Sequence, residues 1–295
     1  MKKLTVRTIL YYTLIRLSPI LNDKLYIQLK YRIFMNAWCD LTHPKIFQEK
    51  LQWIKLNDRK PIYHLMVDKV EVKNFISEKV GKEYVIPTIG VWNDFGEINF
   101  DYLPNEFILK KTYDSGSYFI CKDKSSIDKE AARKRLNTTS RDYYIFSREW
   151  PYKGLKHRII AEPLLHDGNS SVLTDYKFFT FNGEPKFFYV TSNRNSNGAV
   201  NEDFFDINGN LMKLNQKGYY NNPITPPLPK NMKKMVEFAR ILAKDTYHLR
   251  VDFYELNGKL YVGEMTFFDG GGFDSFVPEE YNKIFGDWLK LPIDK

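Results

Sequence analysis

The run Arg250-Val251-Asp252-Phe253-Tyr254-Glu255-Leu256, a turn at Asn257-Gly258, and the run Lys259-Leu260-Tyr261-Val262-Gly263-Glu264-Met265-Thr266 constrain this chain more than any other feature. Asn-Gly between two half-apolar runs is a strong hairpin signal, because both turn positions take positive φ. A two-residue turn pairs Leu256 with Lys259, which sets Val251 opposite Glu264 and Asp252 opposite Gly263. The two carboxylates then meet at the open end of the hairpin, with Arg250 beside them. Mg²⁺ takes one or two carboxylates and fills its shell with water and substrate phosphates, and a guanidinium forks onto a phosphoryl group. Taken alone, the segment reads equally as a hairpin with a surface ion pair.

The rest of the chain reads as α+β, two mixed lobes after a helical lead-in. Residues 44–56 place apolar side chains near a 3.6 period, and Asp68 opens a further helix that stops at Gly81. Short strands are expected at 85–86, 89–92, 107–110 and 158–162, with a polar helix over 126–136. Asn182-Gly183 turns a second hairpin between Asp175–Phe181 and Lys186–Val190, and 232–247 is an amphipathic helix. These patterns divide the chain into 1–67, 68–165 and 166–295.

Charge argues about partners. Of the net +8, most sits in residues 1–35, where Lys2, Lys3, Arg7, Arg16, Lys24, Lys30 and Arg32 face Asp23 alone. A basic amphipathic first helix suits an anionic inner leaflet or a polyanionic acceptor; a solvated packing helix is the plainer alternative. Elsewhere cations and acids interleave and no reader motif occurs, which argues against nucleic acid. No apolar run reaches the roughly 18 residues of a spanning helix. Cys39 and Cys121 are too few and too far apart for a disulfide framework or a cysteine zinc site, so a cytoplasmic location is expected. The five histidines, His166 included, lack metal-ligand spacing, and the Asn137 and Asn169 glycan-acceptor patterns carry little weight without a signal peptide.

Other residues suit a nucleotide. Lys110 ends an apolar strand before Asp114-Ser115-Gly116-Ser117, where an ammonium and loop N–H groups could close on phosphate oxygens. Glu162, followed by Pro163-Leu164-Leu165, could meet a purine edge over an apolar floor. Asp175 could accept from ribose hydroxyls, with Lys177 on the same face. Asp68-Lys69 opens a helix. No P-loop, nucleophile elbow, H-E-x-x-H or C-x-x-C motif is present.

The order Asp68-Lys69, Lys110 with its Ser-Gly loop, Glu162, Asp175, Arg250-Val251-Asp252, Glu264 resembles the ATP-grasp superfamily. The strings Phe47-Gln48-Glu49-Lys50-Leu51-Gln52-Trp53, Asp175 through Lys186, and Val251-Asp252-Phe253-Tyr254 through Gly263-Glu264-Met265-Thr266-Phe267 are similar to TupA-like ATP-grasp proteins of teichuronopeptide and surface-polysaccharide gene clusters. That resemblance runs from about residue 30 to the C-terminus.

It implies an ATP-grasp fold, with nucleotide between an N-lobe at 68–165 and a C-lobe at 166–295. It also implies an ATP-dependent carboxylate–amine ligase working through an acylphosphate. By position, Lys69 and Lys110 would hold ATP phosphates and Ser115 and Gly116 would cover them. Glu162 and Leu164 would meet adenine, and Asp175 and Lys177 would complete the nucleotide site. Asp252 and Glu264 would bind Mg²⁺, and Arg250 would stabilise the transferring phosphoryl group. Thr266 stands where the superfamily usually has a metal-binding Asn. The polysaccharide setting implies a hexuronic acid, in a sugar nucleotide or glycan, as the carboxylate and an amino acid or other amine as its partner. A glycosyltransferase, for which no clear D-x-D motif is present, and a non-catalytic nucleotide-binding peripheral protein are the alternative readings.

Overall fold

Period-two alternation in residues 107–111 sends Phe107 and Leu109 to one face of a strand and Ile108 and Lys110 to the other. In the computed structural model, residues 5–136, 142–165, 173–192 and 200–294 are described. His166, the acceptor motifs at Asn137 and Asn169 and the beginning of the expected 166–295 lobe fall outside them. Strands β1 (Gly90–Trp92), β2 (Phe107–Lys111), β3 (Tyr118–Cys121) and β4 (Ile159–Pro163) form an antiparallel sheet in the order β1-β4-β2-β3. Its inner face buries Phe107, Leu109, Ile159 and Ala161 with Phe95, Phe100 and Leu136. The other face carries Ile108, Lys110, Tyr118, Ile120 and Glu162.

The second sheet holds β5 (Asp175–Phe181), β6 (Glu184–Ser192), β7 (Asn201–Asp206), β9 (His248–Leu256) and β10 (Lys259–Thr266) in the order β10-β9-β5-β6-β7. A small pair, β8 (Asn215–Gln216) with β11 (Phe276–Val277), lies apart from it. Helix α8 (Met232–Leu242) packs across β5, β6 and β9. On β9, Val251 and Phe253 alternate with His248, Arg250, Asp252 and Tyr254. That second row changes character along its length. At the His248 end it is aromatic: Phe181, Phe187 and His248 pack with Phe47 and Phe285. At the Tyr254 end it carries Lys177, Asp252 and Asp175.

The expected hairpin is present, with one correction to its register. Lys259 pairs with Leu256 and Val262 with Phe253, but Gly263 is a bulge, so Glu264 rather than Gly263 stands opposite Asp252, and Thr266 stands opposite Arg250. The cause is local packing: a Cβ on Gly263 would come 2.5 Å from the Tyr254 ring. The extra residue turns Glu264 onto the face that Asp252 occupies. The strand expected at 85–86 is only an isolated bridge from Val85 to Val262.

The residues before 68 form α1 (Val6–Leu17), α2 (Asp23–Met35), α3 (Phe47–Asn57) and α4 (Ile62–Val67). Asn22 caps α2 by accepting from Leu25 N–H, and Glu49 folds back to accept from the N–H groups of Lys45 and Ile46 at the start of α3. Helices α3 and α4 join the core of the second sheet through Phe47, Leu51, Ile54, Tyr63 and Met66, and α3 packs on α9 (Glu280–Trp288). Helix α5 (Glu71–Val80) follows a turn in which Asp68 accepts from Val70 and Glu71 N–H, and α6 (Lys129–Leu136) and α7 (Tyr144–Ser147) complete the set. Among the described residues no helix is long and apolar enough to cross a membrane.

Gly263→Ala should cost about 1–3 kcal/mol, the usual penalty for a methyl group forced into occupied space. In a Tyr254→Ala background the same change should cost markedly less. Urea melts of the four proteins of this cycle measure the difference; equal costs in both backgrounds would show that the ring does not set the bulge.

Candidate active site

Between the polar faces of the two sheets lies a cleft of about 320 Å³, within the size range of ligand sites. The first lobe contributes Lys69, Lys73, Lys110, the Ser115–Ser117 loop and Glu162; the second contributes Asp175, Lys177, Asp252, Tyr254 and Glu264. Val72, Ile76, Val85, Ile86 and Ile108 supply apolar walls. Lys69, Lys110, Ser115, Gly116, Glu162, Asp175, Lys177, Asp252 and Glu264, all singled out from sequence, therefore meet in one cavity. Leu164 does not line it. Arg250 and Thr266 stand just behind, on the strands that carry Asp252 and Glu264.

On the first-lobe side, the Glu162 carboxylate receives Lys73 at 2.5 Å and Lys110 at 2.7 Å. Burial alone would push this carboxyl up, but the two ammonium groups outweigh it and hold its pKa below the ordinary value. Lys73 shifts downward as well, because burial and the neighbouring Lys110 outweigh its pairing. Glu162 thus holds two lysines at the cleft wall. Lys69 donates from Nζ to the Asp114 carbonyl at 2.5 Å, and Ser117 donates to the Asp114 carboxylate, so the Ser-Gly loop is tied at both ends. Gly116 sits at φ +88° with open space around its Cα, a conformation that glycine adopts without steric cost.

On the second-lobe side, Asp252 is only 2% exposed. Arg250 grips it with Nε and Nη2, both at 2.7 Å, and Lys177 donates to it at 2.6 Å. Burial opposes ionisation of Asp252, but these two cations outweigh it and lower its pKa. Arg250 also pairs with Asp269 and donates to Thr266 Oγ1 at 3.1 Å. Glu264, opposite Asp252, makes no hydrogen bond or ion pair among the described residues. No group of three or more His, Cys, Asp or Glu side chains there is placed to hold a metal by itself. Two opposed carboxylates, one with free lone pairs at the cleft, nevertheless suit an ion that draws its remaining ligands from phosphate and water.

Sequence reading missed several participants. Lys73 pairs across 89 residues, and nothing near it marks it. Asp269 begins the Asp269-Gly270-Gly271-Gly272 turn, whose three glycines all have positive φ. A Cβ on Gly272 would lie 2.7 Å from Gln52 Nε2. Helix α3 grips this turn from one face: Gln48 donates to the Asp274 carbonyl, Gln52 to that of Gly272 and Lys55 to that of Gly271. The three-glycine run was the available signal. Glu202 on β7 and Asp274 also lie near Arg250. The histidine reading is consistent with the contacts seen: buried His248 bonds through Nδ1 to the Thr180 carbonyl, and burial lowers its pKa to about 4.

Comparison with known proteins gives a match to the sequence model of the TupA-like ATPgrasp family over residues 49–290. Among curated proteins no sequence matches significantly. Similar solved structures include D-alanine–D-alanine ligase from Bacillus anthracis, at 15% identity and a TM-score of 0.39, covering 68% of this chain and 57% of the other. The Helicobacter pylori D-alanine–D-alanine ligase gives 13% identity and 0.41, covering 78% and 60%. The D-cycloserine synthetase DcsG gives 16% identity and 0.40, covering 78% and 72%. This chain thus spans less than two thirds of the length of either D-alanine–D-alanine ligase.

Burial, with Asp269 and Asp274 nearby, raises Glu202 to about 8, and burial, with Asp269 nearby, raises Asp274 to about 6. Both folded-state values exceed the unfolded ones of 4.5 and 3.8. The folded state therefore holds more protons, and stability falls as pH rises through each window. Glu202→Gln should remove the upper window and gain on the parent by on the order of a few kcal/mol between about pH 5 and pH 8. Urea melts across that range test it; parallel pH profiles would mean that Glu202 is ionised throughout.

Proposed function

Because this chain belongs to the TupA-like ATP-grasp family, we propose that it is an ATP-dependent carboxylate–amine ligase that forms an amide through an acylphosphate. The observation that carries the reading is the cleft itself: Lys110 on the first sheet, with Lys69 and the α5 residue Lys73 beside it, faces Asp252 and Glu264 on the second. Lys69, Lys110 and Lys177 would take the phosphates, with Ser115 and Gly116 as their cover. The edge at Glu162, with Ile86 and Ile108 beside it, would take adenine, and Asp175 the ribose. When bound, Mg²⁺ held by Asp252 and Glu264, with Thr266 close by, would neutralise phosphate charge.

The chemistry fits these residues. A carboxylate is a poor electrophile because its leaving group would be oxide, and phosphorylation supplies a better one. Arg250 lies on the strand that carries Asp252, and its charge is fixed: burial disfavours it, but Asp252 and Asp269 outweigh burial and raise its pKa. Such a preorganised cation stabilises charge that develops during transfer. We assign a hexuronic acid of a surface polysaccharide or its precursor as the carboxylate, and an amino acid or amine as the nucleophile. The enzyme would act on the cytoplasmic side, where ATP is available.

With ¹⁸O-labelled hexuronic acid, ATP and amine, one labelled oxygen should move into inorganic phosphate. AMP in place of ADP, or label found only in the sugar product, would overturn the mechanism. Arg250→Lys, which keeps a buried cation against Asp252 and Asp269 but loses the two-bond fork, should lower turnover by about 100-fold or more while nucleotide affinity changes little.

The same reading places the enzyme at the inner leaflet through α1. Val6, Ile9, Leu10 and Leu17 are exposed on one face, continued by Ile20, with Arg7 and Arg16 on the flanks. Apolar insertion plus up to about 1 kcal/mol per nearby cation suits an anionic bilayer. The full chain should co-sediment with anionic vesicles and not neutral ones, and should lose this in the double variant Ile9→Asp, Leu10→Asp. Equal partition into both vesicle types would rule the docking out.

A further inference from the structure

Glu202 is 4% exposed, yet its Oε2 has no hydrogen-bond partner among the described residues. It lies opposite Thr191, which lies opposite Asp175, so β7 presents it on the sheet face that forms the cleft. Buried carboxylate oxygens in folded proteins are nearly always satisfied, and one left without a donor is costly. The charges around Glu202 deepen the deficit. Asp269 and Asp274 repel it, and its nearby cations are Lys177 and Arg250. Both are committed, Lys177 to Asp252 and Arg250 to Asp252, Asp269 and Thr266. Asp274, half-buried against Gly270, has no side-chain hydrogen bond among the described residues. Gln216 holds Asp269 from behind at 2.9 Å.

Three carboxyl groups therefore lie near one guanidinium that pairs with Asp269 alone among them, and the other two have acceptors without donors among the described residues. What fits is a small cation that brings several N–H donors. A primary ammonium carries three donors and a compact charge.

We propose that Glu202, Asp274 and Asp269 form the docking site for the amine substrate, and that this substrate arrives as a primary ammonium whose charge the three carboxyl groups recognise. The inference rests on the ligase reading and adds to it the chemical class of the nucleophile. Arg250 touches Asp252 on one side and Asp269 on the other, so the ammonium would sit across the guanidinium from the phosphate side. The chemistry also needs a proton acceptor there, because an ammonium has no lone pair. The ammonium gives one proton to a carboxylate of the pocket, and the nitrogen lone pair forms the C–N bond to the acyl carbon. The C–O bond to phosphate breaks with its electron pair leaving on phosphate, and the nitrogen loses its second proton to solvent. Glu202, which burial and its acidic neighbours raise to about 8, is matched to that transfer near neutral pH.

Three probes of equal length and rising charge test the site on the full chain: 1,3-propanediol, 3-amino-1-propanol and 1,3-diaminopropane. Their affinities are read by NMR titration. Binding of Mg²⁺ with a non-hydrolysable ATP analogue is measured in parallel by calorimetry. The parent should bind the two amines about tenfold or more tighter than the diol, the scale of a hydrogen bond to a charged group. Amine binding should strengthen as pH rises from about 6 to 8.5, as Asp274 and then Glu202 ionise facing Asp269, Lys177, Arg250, Tyr189 and Tyr219. Glu202→Gln, and separately the more exposed Asp274→Asn, should abolish the preference while nucleotide binding persists and the melting temperature does not fall. No preference in the parent, or a preference that survives both variants, overturns the amine site. Failure of the nucleotide analogue to bind would overturn the ligase reading instead, and the amine series would still decide the pocket.

Discussion

Burying the guanidinium of Arg250 is the constraint around which the second lobe is organised. Removing that charge from water costs several kcal/mol unless partners with good geometry surround it. Asp252 meets it with two bonds, Asp269 caps the far side and Thr266 takes a further N–H. Each partner comes from a different piece of chain, so satisfying one cation ties β9, β10 and the 269–272 turn together. Asp252 in turn draws in Lys177 from β5. The pairs are worth more as a register device than as net stability, since a mispaired strand would strand a buried charge.

The turn that carries Asp269 is itself held. Three consecutive glycines with positive φ let the backbone double back, and on one face of α3 Gln52 and Lys55 donate to the carbonyls of Gly272 and Gly271 while Gln48 donates to that of Asp274 just beyond. Lys55 is fully buried, and burial lowers its pKa to about 7 against the opposing pull of Glu149. The helical region before residue 68 thus reaches the site in two ways: Met66 and Val67 line the cleft, and α3 fixes the loop that carries Asp269 to Arg250.

The two walls of the cleft solve an electrostatic problem in opposite ways. The first lobe gathers Lys73 and Lys110 on one carboxylate, Glu162, which leaves an excess of positive charge suited to phosphates. The second lobe opposes Asp252 and Glu264 and leaves Glu264 unpaired, which suits a divalent cation brought in with the nucleotide. Beyond Arg250 lies a second group of carboxyls, Glu202, Asp269 and Asp274.

Sequence by itself determined what depends on neighbours along the chain. The Asn257-Gly258 turn brings Arg250, Asp252, Glu264 and Thr266 together because a two-residue loop leaves the strands little choice, and alternation around Lys110 and Lys177 selects the face each occupies. The family resemblance then ordered residues that local rules could not join. Tertiary structure decided the rest. The one-residue shift at Gly263 needs the Tyr254 ring packed over it, Lys73 meets Glu162 across 89 residues, and the apolar wall comes from Val72, Ile76 and Ile108 rather than Leu164. Glu202 and Asp274 acquire chemical meaning only when folding removes their water and sets them beside Asp269. A carboxylate's charge is written in the sequence, but its desolvation and its partners are properties of the assembled fold.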